Sequence, residues 1–129
     1  MIFGIGQDVC DAKRIDATIS RFGDRFKKRI FTLVEINKCD SRINYADSYA
    51  RRFAAKEACS KALGTGFKKG VFYKDIEVVN LKSGKPIINL KGGALAQYKL
   101  ITNNDVNASI NVSLTDDNKL ALAIVIISN

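Results

Sequence analysis

At 129 residues the chain has the usual size of one domain and can bury a substantial core, so residues 1–129 are expected to form a single unit. Its 47% hydrophobic and 26% charged residues match an ordinary globular protein and exclude a disordered or low-complexity chain. A formal net charge of +8 points to an acidic partner, leaving nucleic acid, a membrane surface, a phosphorylated ligand or an acidic protein open, and the absence of histidine removes the commonest metal ligand and general base.

The first residues, MIFGIGQDVCDAKR, have no basic stretch before a short apolar run, so neither a signal peptide nor a membrane span is expected, and a cytoplasmic location follows as the default. Cys10, Cys39 and Cys59 are odd in number, widely spaced and without a C-x-x-C pair, so they are read as reduced core thiols.

Residues 2–9 alternate as a strand, with Phe3, Ile5, Gln7 and Val9 on one face and Ile2, Gly4, Gly6 and Asp8 on the other. Glycines inside a strand mark a close approach by a ligand or another backbone, which makes Asp8 a candidate site residue as well as a candidate cap. From Asp11 to about Arg29 the apolar stripe Ile15, Ile19, Phe22, Phe26, Ile30 predicts a helix, with Gly23 as a potential break. Seven basic residues against three acids in this segment make it the best candidate docking surface, although a charge run also fits a solvated face.

Thr32 and Glu35 form a capping-box pattern for a short helix ending near Cys39. After a polar stretch from Ser41 to Ser48, a long helix is expected to start near Asp47 or Ser48 and to stop at Gly64 and Gly66. Within it Ala54, Ala55, Ala58, Cys59, Ala62 and Leu63 form an apolar face of mostly small side chains that another backbone can approach closely. Arg52 and Lys56, and likewise Glu57 and Lys61, are four apart and stand one turn above each other. The same pattern fits an ordinary packed helix with a solvated charged edge.

In the second half, Asp75 to Leu81 and Ile87 to Leu90 are strands joined by a turn at Ser83-Gly84-Lys85-Pro86. A helix is expected over Ala94 to Ile101, ending at Asn103-Asn104-Asp105. Ala108 to Thr115 alternates strictly, as a strand wet on one side does; Asp116-Asp117-Asn118 is read as a turn. Lys119 to Ile127 is apolar on both faces and is placed centrally. The fold class is α+β, a mainly antiparallel sheet packed by helices.

Two carboxylates from separate elements, Asp8 and Glu57, suit magnesium, a hard ion completed by waters and substrate phosphates. Arg52, Lys56, Lys61, the Gly64–Gly66 turn and Lys85 would then supply a phosphate-binding surface. A carboxylate pair with lysines nearby is common, so this chemistry needs further support.

The segments GIGQDVCDAKRI, RRFAAKEACSKALGTG, SGKP and NVSLTDDNKLALAIVI, in this order and at these intervals, resemble the holo-[acyl-carrier-protein] synthases, the small bacterial 4′-phosphopantetheinyl transferases. The resemblance covers essentially the whole chain. It implies transfer of 4′-phosphopantetheine from coenzyme A to a serine of an apo-acyl carrier protein, leaving adenosine 3′,5′-bisphosphate. It also implies a need for magnesium and a homotrimer with active sites between protomers. Asp8 and Glu57 match the metal ligands, with Glu57 and Lys61 as catalytic candidates. Arg52, Lys56, Ser60, Lys61, Gly64, Gly66, Lys85, Pro86 and Asn111 match positions about the coenzyme. The basic helix, with Arg14, Arg21, Arg25 and Lys28, matches the surface that docks the acidic carrier, which accounts for the positive charge without nucleic acid or membrane. The family commonly reads close to HVSISHT where this chain has NVSLTDD. Asn111 and Asp116 thus stand at the two histidine positions, and an acid at Asp116 would repel phosphate unless it points away. A non-catalytic coenzyme A-binding homologue and a small basic nucleic-acid-binding domain are the alternative readings.

Overall fold

The computed structural model describes residues 1–129. Elements run β1 (Ile2–Asp11), α1 (Ala12–Phe22), α2 (Asp24–Ile30), α3 (Leu33–Asp40), α4 (Tyr45–Ala62), a 3₁₀ turn (Tyr73–Asp75), β2 (Ile76–Asn80), β3 (Pro86–Leu90), α5 (Gly92–Ile101), β4 (Ser109–Asp117) and β5 (Leu120–Ser128). The strands form two antiparallel sheets, one ordered β1-β5-β4 and the other a β2–β3 hairpin. This is the expected α+β arrangement, with the doubly apolar β5 in the middle of the larger sheet.

One face of that sheet packs on α4, which is the centre of the fold. β5 turns Ala121, Ala123, Val125 and Ile127 inward, where all four are buried. Burying side chains the size of Val125 and Ile127 contributes roughly 1.5–3 kcal/mol each. The contact between β1 and α4 is made almost without side chains. A Cβ on Gly4 would stand 1.9 Å from the Ala62 carbonyl oxygen, and one on Gly6 would stand 2.0 Å from that of Ala58. The glycines of the strand and the alanines of the helix are therefore one feature, a backbone-to-backbone seam.

The expected single helix over residues 11 to 29 is two. Gly23, at φ +57°, ends α1 and starts α2, a left-handed geometry that other residues resist. The break displaces the stripe: Ile15, Ile19 and Ile30 are buried, Phe26 is half-buried, and Phe22, on the last turn of α1, is exposed with the Arg21 guanidinium 5.1 Å over its ring. The capping box at Thr32 and Glu35 is present as expected. The β4–β5 turn is tighter than the sequence reading. Asp116 and Asp117 belong to β4, and the turn is Asn118-Lys119, both at positive φ, the geometry whose twist matches a two-residue hairpin.

Candidate active-site cleft

Because the seam leaves no side chain between β1 and α4, the next inward residue of β1 after Gly6 lies beside the helix, and that residue is Asp8. Asp8 and Glu57 line one cleft of about 350 Å³, together with Val9, Cys10, Asp11, Arg14, Thr18, Phe26 and Phe53. One turn along α4 from Glu57, Lys61 donates from Nζ to Asp8 Oδ1 at 2.9 Å and to the Gln7 carbonyl at 3.0 Å. Asp8 and Lys61 also border a larger groove, about 480 Å³, that runs over the outer sheet face past Ser113, Thr115, Leu122 and Ile124. Asp8 thus forms the ridge between two clefts, with a carboxylate partner on one side and an ammonium on the other.

Glu57 is half-buried and receives a 2.7 Å hydrogen bond at Oε1 from the Tyr73 hydroxyl. The Tyr73 ring stacks on Phe67 at 3.6 Å between centroids and on Phe53 at 5.7 Å. Burial, with the Glu57 carboxylate adding to it, raises the Tyr73 phenol above its ordinary value, so the hydroxyl remains a donor. Burial and then the Asp8 charge push the Cys10 thiol up to about 11, which keeps it protonated and unsuited to act as a soft metal ligand. No third carboxylate, cysteine or histidine joins Asp8 and Glu57 in a metal-binding cluster. Two hard oxygen donors opening on a cleft fit a magnesium ion, which keeps several waters and takes further ligands from substrate phosphate.

The remaining expected residues divide. Arg52, Lys56 and Ser60 lie in the interior, and for Lys56 this corrects the expected place on a phosphate-binding surface. Lys56 is fully buried: its ammonium meets Glu35 Oε1 at 2.8 Å and donates to the carbonyls of Tyr73 and Ile76. Glu35 also accepts from the backbone N–H groups of Thr32 and Val78, so each charge of the pair is saturated. Desolvation lowers the Lys56 pKa against the opposing pull of Glu35. Ser60 donates its hydroxyl to the Glu57 carbonyl. These side chains point inward because α3 and β2 cover that flank of α4.

Arg52 occupies the same flank but reaches a groove of about 380 Å³ with Lys38, Asn80 and Lys82. It donates to Ser48 and to Asn80 Oδ1, and its buried Nε has no partner. The hairpin residues Lys85, exposed, and Pro86, half-buried, follow at that end, where Asn80 pairs with Pro86. Arg52 and the hairpin therefore form a group separate from Asp8, Glu57 and Lys61.

Gly64 and Gly66 close α4 as expected, the Gly66 N–H donating to the Ser60 carbonyl. Asn111 is exposed and shares the outer face of β4 with Ser113 and Thr115. Asp116 turns away from that face and pairs with Arg51 at 2.9 Å, so it adds no negative charge to the Lys61 groove. Arg14 stands in the wall of the Asp8–Glu57 cleft, while Arg21, Arg25 and Lys28 are exposed on α1 and α2. Tyr73 lies in the connection between α4 and β2, where no local spacing ties it to Glu57.

Comparisons with known proteins identify the family. Residues 4–125 match the family model of the 4′-phosphopantetheinyl transferase superfamily. Relatives named holo-[acyl-carrier-protein] synthase include those of Methylobacterium nodulans, 57% identical over 98% of this chain and 96% of its own, and Parvibaculum lavamentivorans, 56% identical over 99% and 96%. Among solved structures, the holo-[acyl-carrier-protein] synthase of Neisseria meningitidis superposes with a TM-score of 0.86 at 32% identity, covering 100% of both chains. That of Helicobacter pylori, in complex with coenzyme A, gives 0.80 at 31% identity over 96% of this chain and 99% of that one. The chain belongs to the holo-[acyl-carrier-protein] synthase family of the 4′-phosphopantetheinyl transferase superfamily, and it is an enzyme of the phosphopantetheinyl transferase class. No helix is long and apolar enough to cross a membrane.

Proposed function

We propose that the protein transfers 4′-phosphopantetheine from coenzyme A to a serine of an acidic apo-acyl carrier protein, using magnesium held by Asp8 and Glu57 and releasing adenosine 3′,5′-bisphosphate. The carrying observation is that Asp8 lines one cleft with Glu57 and pairs with Lys61 on its other side, with the cationic Arg14 in the cleft wall. Magnesium, when bound, supplies positive charge to the pyrophosphate oxygens.

The carrier serine oxygen bonds to the β-phosphorus as the bond to the bridging oxygen breaks, and that oxygen leaves with the electron pair on adenosine 3′,5′-bisphosphate. The serine proton passes to Glu57 directly or through an intervening water. Lys61 lies where its ammonium can stabilise charge on phosphate. The Arg52 groove, with an unpartnered buried Nε beside Asn80 and the Lys85–Pro86 hairpin, suits the nucleotide phosphates. Lys56 and Ser60 serve this reaction by holding α4 in place. Arg14, Arg21, Arg25 and Lys28 form the cationic surface for the carrier. Three unpaired buried thiols fit a reducing, cytoplasmic compartment.

The active unit is a homotrimer with interfacial sites. Two observations support a second copy: the outer sheet face leaves Ile5, Val9, Leu120 and Leu122 exposed, and the phosphate-binding residues of one chain fall into two separate grooves. Sedimentation of a fully active monomer would count against this assembly.

The central test incubates the protein with coenzyme A, magnesium and apo-acyl carrier protein and follows the carrier's mass. A gain of one phosphopantetheine unit is expected. Glu57→Gln should purify folded and lose at least ~10²- to 10⁴-fold in turnover, the usual contribution of a general base. Near-normal turnover in that variant sinks the assignment, and coenzyme A binding without transfer makes the protein a non-catalytic homologue.

A further inference from the structure

Tyr73 belongs to none of the motifs that define the cleft, yet it is tied to α4 at both ends. Its hydroxyl donates to Glu57 Oε1 at 2.7 Å. Its own carbonyl accepts from Lys56 Nζ at 3.0 Å. Lys56 and Glu57 are consecutive residues of α4, so the helix backbone, the Lys56 side chain, Tyr73 and the Glu57 side chain close a ring of contacts. Lys56 is itself immobilised by Glu35 and the Ile76 carbonyl in the interior. The Tyr73 ring is held by its stacks on Phe53 and Phe67.

A glutamate on a helix that faces a cleft has three rotatable bonds and no intrinsic preference for one carboxylate orientation. A donor fixed in position selects one. Phenylalanine would keep both aromatic stacks and the main-chain contact to Lys56, so the hydroxyl oxygen is the only part of Tyr73 that acts on Glu57 and is not needed for packing.

We propose that Tyr73 is the positioning residue for Glu57: its hydroxyl occupies Oε1 and leaves Oε2 as the oxygen that serves the cleft beside Asp8. This rests on the reading of Asp8 and Glu57 as metal ligands. The contact has the form common around metal-bound side chains, in which a hydrogen bond from outside the coordination shell orients the ligand.

The test compares wild type, Tyr73→Phe, Phe67→Leu and Asp8→Asn as full-length proteins, titrated with Mn²⁺ and followed by electron paramagnetic resonance of the free ion, with thermal unfolding alongside. Tyr73→Phe is expected to keep the wild-type thermal midpoint and to bind Mn²⁺ about 10- to 100-fold more weakly, the usual effect of losing such a contact. In turnover, the magnesium concentration for half activity should rise by the same factor, with most of kcat recovered at saturation. Phe67→Leu keeps the hydroxyl and should lose thermal stability while holding Mn²⁺ affinity near wild type. Unchanged or tighter Mn²⁺ binding in Tyr73→Phe overturns the role of Tyr73, as do losses of affinity in both variants that track their losses of stability. Wild type that binds Mn²⁺ no better than Asp8→Asn overturns the metal site itself, and the role of Tyr73 with it.

Discussion

Gly6→Ala adds one methyl group at the seam on which the cleft depends. The new Cβ would stand 2.0 Å from the Ala58 carbonyl oxygen, 2.8 Å from the Ala62 nitrogen and 2.9 Å from Lys61 Cβ. Two of these three are backbone atoms of α4, so no side chain can swing aside. Ordinary contact begins at 3.4 Å, and β1 must therefore move from the helix by about 1.4 Å. Overpacking of a core by a methyl group costs roughly 1–3 kcal/mol, and a rigid backbone contact belongs at the upper end. For a chain of this size about 3 kcal/mol lowers the thermal midpoint by roughly 10–15 °C. The displacement also carries Asp8 away from Glu57, and misplacement by about 1 Å is enough to reduce turnover ~10²-fold. Thermal unfolding and initial rates of carrier modification, measured on the same preparation, check both effects. A variant with the wild-type midpoint and normal rate would show that β1 and α4 are not in backbone contact, and the account of how Asp8 reaches Glu57 would fail with it.

Lys56→Met leaves the Glu35 charge buried without its cation, and the expected loss is roughly 3–5 kcal/mol by urea unfolding. Adding Glu35→Gln removes that charge while keeping an acceptor for the Thr32 N–H, so the double variant should be more stable than Lys56→Met alone; a further loss would refute the ion-pair account. Burial raises the Cys39 thiol above its ordinary 9.0, and burial with the hydrogen bond to Asp40 raises the Tyr49 phenol above 10.0. In both cases the fold prefers the protonated form. Their contribution to stability is therefore fully present below pH 9 and is lost as pH climbs through the raised values. Urea midpoints should fall from pH 9 upward, less steeply in Tyr49→Phe, and an equal fall in that variant would remove Tyr49 from the explanation.

The features legible in the sequence were those set by local periodicity. Gly4, Gly6 and Asp8 share a strand face by alternation, and Ala58 and Ala62 share a helix face by their four-residue spacing, so the two halves of the seam could each be read before the chain was folded. The capping box at Thr32 and Glu35 was equally local. What escaped was long-range. Charge alone marks the helix edge that carries Arg52, Lys56, Glu57 and Lys61 as exposed. Whether that edge meets water is decided by α3 and β2, and Glu35, 21 positions before Lys56, supplies the opposite charge that makes burial tolerable. Tyr73 meets Glu57 across 16 positions through a 3₁₀ turn, for which no periodic signal exists. The turn at Asn118-Lys119 was misplaced by the acidic pair before it, because Asp116 extends β4 to reach Arg51.

The Lys61 ammonium, on a four-carbon tether, already partners Asp8 Oδ1, so a free cation that takes up this oxygen does so by exchange and not by simple addition. The dissociation constant read in a titration is then net of an internal competitor that cannot be diluted away. The exchanged ammonium stays within reach of the same cleft, half-exposed and without its former counter-charge, at the place where a polyanion would need it.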